Sequence, residues 1–340
     1  MKNSSEVISE SVFTTNLKFL KKQNETKEIF FKYLNENKSY EEFRRKIIEI
    51  WGTLDHKFLD EQLLEYQELI YQQNKIADKE IVGIEKDKKN MIFMLIPISL
   101  IINQENRLVN YKLREYDKSL NSYAYKANKQ EYLKTKVKRY SDEIVEYISH
   151  TPGKKSRYVS LNTYASMIQN TNMTLSGWNE VINEAIDTGN EEFIIPYHPF
   201  SCPECIRHQG KVMSLKDVYK LIGYIGKPVE VMSGDILHPN CKCELHMIQP
   251  GQSYKSIINK YSDLSKKEKK DIYHIKQKTN TLTLKKERIK TDMKIQDMLG
   301  NQDEVDKLNQ QRNKINASIR ALKEALPTDA LRKQVVAIKR

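Results

Sequence analysis

All four cysteines of this 340-residue chain lie in one 42-residue stretch, from Cys202-Pro203-Glu204-Cys205 to Cys241-Lys242-Cys243. Two thiolates three residues apart can grip one tetrahedral ion from a tight turn, so C-x-x-C reads as half of a metal site. The other half, His238-Pro239-Asn240-Cys241-Lys242-Cys243, offers three more donors within six residues. Five candidate ligands therefore compete for four places. Cys202, Cys205, Cys241 and Cys243 are the expected set, with His238 as the substitute. The expected ion is a structural zinc, because a closed four-ligand shell leaves no position for a catalytic water. Two disulfides would use the same cysteines, but the chain shows no secretion signal and is long enough to bury a core without staples. Scattered core thiols would not gather in two short turns. A redox C-x-x-C would open a helix after a strand, and this one does not. On this reading a bound ion, rather than a large apolar interior, ties the midsection together.

Charged residues make up 30% of the chain and hydrophobic ones 39%, a balance that suits long solvated helices better than a compact enzyme. The length suggests two or three domains. The first residues, Met1-Lys2-Asn3-Ser4-Ser5-Glu6, lack the apolar stretch of a secretion signal. The longest apolar run, Met91 to Ile102, is broken by Pro97 and falls short of the ~20 residues that cross a bilayer. A buried helix or helix junction is expected there, with no membrane span. A reducing cytoplasm is the expected place of synthesis.

Three segments follow. Residues 1–150 form a helical scaffold region, in which Phe58, Leu59, Leu63, Tyr66, Leu69 and Ile70 recur at helical spacing. A second long helical segment is expected from Glu105 to His150; its tyrosines suit packing better than base stacking. Thr151-Pro152-Gly153-Lys154-Lys155 reads as a boundary. Residues 151–252 hold the metal motifs among short elements. Ser160 is expected to cap a helix through Ile168, and a further helix carries Trp178 to Ile186 and closes on Gly189. Strands are expected at Glu192–His198, at Gly210–Met213 and around Cys243–Met247, with a short helix at Leu215–Leu221. Residues 253–340 are helical and basic. They hold 22 Lys and Arg against 11 Asp and Glu, nearly all of the chain's net charge of +12. Within them Val305, Leu308, Arg312, Ile315, Ile319, Leu322 and Leu326 alternate at intervals of three and four, a short coiled-coil seam ended by Pro327. The fold class expected is mainly α, with a small zinc-stabilised α+β central domain.

The central segment resembles the minor capsid protein 2 family of tailed phages and, more loosely, the Mu-type head morphogenesis group. The resemblance rests on Tyr164-Ala165-Ser166-Met167, Ala185-Ile186-Asp187-Thr188-Gly189, His198, Cys205-Ile206-Arg207-His208-Gln209-Gly210-Lys211-Val212 and His238-Pro239-Asn240-Cys241-Lys242-Cys243. In that family the last position of the H-P-N-C motif is often histidine, whereas here it is Cys243; both ligate zinc. Cys202 is similar to the first cysteine of the Mu-type pattern. The resemblance implies a structural, non-enzymatic virion component that is assembled in the host cytoplasm. The portal protein or the major capsid protein would be its partners. The basic last segment adds non-specific DNA contact. Two other readings compete. One is a zinc-stapled nuclease with His238 as base and Asn240 nearby, although the paired histidine before Gly234 is missing. The other is a zinc-containing DNA-binding protein dimerised by the coiled coil, although its second cysteine pair is C-x-C and no recognition helix is evident.

Overall fold

The computed structural model describes residues 4–74, 96–147, 157–198, 205–221, 241–253 and 265–326. The fold is mainly helical, with a small open sheet and a cysteine cluster. Six helices come first: α1 (Ser4–Asn35), α2 (Tyr40–Gly52), α3 (Lys57–Asn74), α4 (Ser99–Leu120), α5 (Tyr123–Ala127) and α6 (Lys129–Arg139). Strands β1 (Glu143–Tyr147) and β2 (Arg157–Ser160) pair antiparallel. Then come α7 (Leu161–Thr188), β3 (Glu192–Ile194), a 3-10 turn (Cys205–Arg207), β4 (Val212–Ser214), α8 (Leu215–Leu221) and β5 (His246–Met247). Helices α9 (Lys266–Met298) and α10 (Gln302–Glu324) complete the described chain. No helix among the described residues is long and apolar enough to cross a membrane.

Helix α7 organises the rest. It is one element of 28 residues, not the two helices expected from the sequence. The polar run Gln169-Asn170-Thr171-Asn172 reads as a break between helices, yet all four residues are buried. Three of them bond to neighbouring chain. Asn172 accepts from the Ile96 N–H at 2.7 Å and donates to the Ile96 carbonyl at 2.9 Å. Gln169 donates to the Leu59 carbonyl at 3.1 Å. Asn170 reaches the metal motif, as described below. Buried amides of this kind cost stability unless bonded, and here each bond also fixes the position of a neighbouring segment. The helix ends, as expected, on Gly189 at φ 69°.

Two cores flank α7. One is aromatic: Phe30, Phe31, Phe43 and Tyr116 are fully buried. Phe43 stacks on Tyr116 at 4.0 Å, and Phe30 meets Phe31, Phe43, Tyr116 and Tyr140 at 5.3 to 5.7 Å. Leu161, Ala165 and Ile168 of α7 join it, as do Ile295 and Leu299 from the end of α9. Tyr116 donates to the Lys38 carbonyl at 2.8 Å and Tyr125 to that of Leu34 at 2.5 Å, so these tyrosines serve packing. The long helix expected from Glu105 to His150 is instead α4, α5, α6 and β1. Lys112, fully buried, helps hold the approach to β1, donating to the Ser141 carbonyl at 2.5 Å above the Tyr140 ring.

The other core surrounds the cysteines. Met173, Leu175, Trp178, Val181, Ile182 and Ile186 of α7 pack on Phe193, Ile195, Leu245 and Met247, with Ile8, Tyr66 and Ile70 from α1 and α3 closing it. An apolar interior of this size corrects the expectation that an ion alone ties the midsection together. Strand β3 lies between β4 and β5, antiparallel to both. Cys243 precedes β5 instead of lying in a strand. Both cores draw residues from more than one of the segments 1–150, 151–252 and 253–340.

The C-terminal seam finds its partner within the chain. Leu308, Ile315 and Ile319 of α10 pack with Leu282, Ile289 and Met293 of α9. The two helices form a hairpin across Leu299–Asn301, with Gly300 at φ 66°. The other seam positions are buried or half-buried, and Arg312 donates to Asn309 at 2.7 Å. Thr151–Lys155, Met91–Leu95 and Pro327 lie outside the described residues.

Candidate metal centre

Cys205, Cys241 and Cys243 come together as the sequence suggests. Their sulfur atoms all lie within 4.8 Å of one another. The Cys205 and Cys241 sulfurs are 3.9 Å apart, far beyond the ~2.05 Å of a disulfide. A tetrahedral thiolate site with metal–sulfur bonds of ~2.3 Å has edges of about 3.8 Å, so this separation fits two ligands of one ion. The three residues are at most 2% exposed, which seals the cluster from solvent. Cys202 and His238, the other expected ligands, lie outside the described residues.

Local sequence explains how each thiol is placed. Cys205 opens the 3-10 turn, and its carbonyl accepts from the His208 and Gln209 N–H groups at 3.0 and 3.2 Å. The chain then reverses at Gly210, whose φ of 73° and whose contact with Tyr197 leave no space for a Cβ; one would lie 2.4 Å from the tyrosine oxygen. The C-x-C segment is gripped from α7 by a stripe at intervals of four. Asn170 and Thr174 each donate to the Cys241 carbonyl at 3.0 Å, and the Trp178 indole donates to the Cys243 carbonyl at 2.8 Å. The sequence marks Trp178 only as an apolar helix position; that a buried indole N–H needs a partner was the one available signal for this role.

Donors also converge on the sulfurs themselves. The Cys243 N–H points at the Cys241 sulfur at 3.5 Å, and the Gln209 amide at the Cys243 sulfur at 3.7 Å. His198 Nε2 lies 3.4 Å from the Cys243 sulfur. Burial pulls the His198 pKa down to about 4, so the imidazole is neutral near pH 7. With Cys243 as thiolate, Nε2 is the protonated nitrogen and donates. His198 is thus placed to support Cys243 from outside the sulfur cluster. His208 is half-buried, and His246 Nε2 stands 3.6 Å from the Glu244 carboxylate. Three thiolates this close repel one another when ionised. A bound cation removes that repulsion, and the N–H donors offset the rest. The arrangement can hold a metal ion. Among the described residues no other group of three His, Cys, Asp or Glu side chains is gathered this way.

Of the stretches that carry the resemblance, those around Ala185, His198, Cys205 and Cys241 build or border this centre so far as they are described, whereas Tyr164 and Ala165 pack in the aromatic core. Ala185 and Ile186 of α7 lie in the cysteine core, His198 and Gln209 reach the sulfurs, and Cys205, Cys241 and Cys243 supply them. Tyr164–Met167 lies one to two turns before Asn170 on the same helix. Compared with protein-family models, curated proteins and solved structures, the chain matches none of them.

Proposed function

We propose that this chain is a non-catalytic protein whose cysteine cluster holds a structural zinc ion and whose basic C-terminal hairpin binds DNA through its phosphates. The observation that carries this reading is the sealed thiol cluster. Soft thiolates in a tetrahedral arrangement select zinc among common cellular ions. A centre buried on every described side suits folding better than turnover. DNA is the partner suggested by charge, since the excess of cations lies in the last 88 residues and phosphate neutralisation supplies most non-specific affinity. Contact of this kind reads no sequence. The test is binding of the full chain to unrelated duplexes, with a magnesium incubation alongside. Similar affinity for each duplex and intact DNA support the reading. Cleavage abolished by His238→Ala would instead establish the nuclease alternative.

A second reading concerns the setting, and the resemblance favours it: a minor capsid protein of a tailed phage, placed with the portal or capsid interior. Its support is the sequence resemblance, most of whose residues, from Ala185 to Cys243, lie around the cysteine cluster. In that setting the DNA would be the packaged genome. Locating the chain in an intact particle tests it, and absence from purified heads would reject it.

A further inference from the structure

The two ends of helix α9 have different electrostatic surroundings. Toward its C-terminal end Lys290 pairs with Glu287 at 2.8 Å and Lys294 with Glu28 of α1 at 3.2 Å. From its first turn to residue 285, Lys267, Lys270, His274, Lys278, Thr281 and Lys285 are all exposed. They follow one another at intervals of three and four, so they lie on one face of the helix. The residues that fasten this stretch, Ile272, Thr279 and Leu282, are buried or half-buried. Among the described residues none of the four stripe lysines takes part in an ion pair; the exposed acids beside its first turn are Asp271 and Glu268, the latter accepting from the Ser265 N–H at 2.7 Å. At 1.5 Å per residue the stripe is about 27 Å long.

We propose that this stripe is the surface that lies along the phosphate backbone of duplex DNA, with Lys267, Lys270, Lys278 and Lys285 as the contacts. The inference rests on the DNA-binding reading above and specifies where that binding occurs. Lysine is a compact point charge that suits phosphate without demanding fork geometry. The stripe holds no Phe, Tyr or Trp on which unpaired bases could stack, which favours duplex over single strand. Protein interfaces are depleted in lysine and rich in aromatics and Met at their centres, and the stripe has the opposite composition. Its length approaches the ~34 Å of one duplex turn.

The test is fluorescence anisotropy of a short duplex of arbitrary sequence with the full chain, read across a salt series. The variants are Lys267→Gln/Lys270→Gln/Lys278→Gln/Lys285→Gln and a control, Lys118→Gln/Lys126→Gln/Lys138→Gln, whose lysines are exposed on α4, α5 and α6. Exposed substitutions of this kind leave the fold intact, and circular dichroism checks it. Each phosphate contact contributes about 0.9 to the slope of log K against log salt. The quadruple variant is therefore expected to lose a slope of about 3 to 4 while the control keeps the wild-type slope. An unchanged slope in the quadruple variant, or equal losses in both, overturns the stripe while leaving DNA binding in place. A wild-type chain that binds no duplex overturns both readings.

Discussion

Around Phe30 the interior is closed by ring against ring, whereas around Cys241 it is closed by side-chain donors aimed at carbonyls and sulfur. The aromatic core gains its energy from area and ring geometry, neither of which needs a ligand. The cysteine core also buries large side chains, Trp178 and Phe193 among them. At its centre, however, it places three acidic thiols whose ionised forms repel. Both cores lean on α7. Its first turns give Leu161, Ala165 and Ile168 to the aromatic core, and the rest gives the cysteine core both apolar residues and the polar stripe Asn170, Thr174 and Trp178. The lesson is that a metal motif need not replace a core; here it is set inside one. Loss of the ion should then loosen one end of the molecule before the other.

Four substitutions break or sharpen that contrast. Phe30→Ala removes a fully buried ring that meets four others and should cost about 4 kcal/mol in urea unfolding. Metal content per folded chain should not change. Gly177→Ala acts where α3 crosses α7. Its new Cβ would lie 2.6 Å from the oxygen of Tyr66, itself fully buried, and the clash should cost about 2 kcal/mol. Trp178→Phe keeps a ring but removes the donor to the Cys243 carbonyl, leaving that buried oxygen one bond short. A loss of about 1.5 kcal/mol is expected, with faster metal release to a chelator as the readout specific to the cysteine core.

The smallest effect is a pH dependence confined to the aromatic side. His56 Nε2 lies 2.6 Å from Glu105, and that hydrogen bond raises the His56 pKa above its ordinary value. A histidine with a raised folded pKa contributes stability that is full below its unfolded pKa of about 6.5 and fades as pH rises through the folded value. Wild type should therefore lose about 1 kcal/mol or less between about pH 6 and pH 8 relative to His56→Gln. Denaturant midpoints of the two proteins across that range measure it. A difference that grows with rising pH would contradict the assignment.

Much of the cysteine cluster was legible because cysteine spacing is a covalent fact. C-x-x-C and C-x-C bring thiols together from almost any local fold, and three of the four expected thiols meet. Short elements bounded by Gly189 and Leu215 were legible from turn and capping chemistry. Helix α7 was not, since Gln169 to Asn172 read as a break until Ile96, Leu59 and the Cys241 carbonyl are there to meet their bonds. The β1–β2 pair was hidden for a similar reason: its strands are short and flank a tyrosine-rich helical stretch. The seam of α10 was read as a coiled coil from its three-and-four spacing, and Leu308, Ile315 and Ile319 pack on α9, but periodicity does not say whose helix covers it. His198 stood out only as a histidine near cysteines, and its bond to Cys243 depends on the turn that ends at Gly210.

The most direct test of the account is hydrogen exchange on reduced, untagged protein of measured metal content, before and after chelation. The account predicts one zinc per chain. On its removal, protection should be lost over 205–221 and 241–248 and kept over 40–52 and 99–120. Protein that folds without stoichiometric metal, or exchange that stays the same in both regions after chelation, would contradict it.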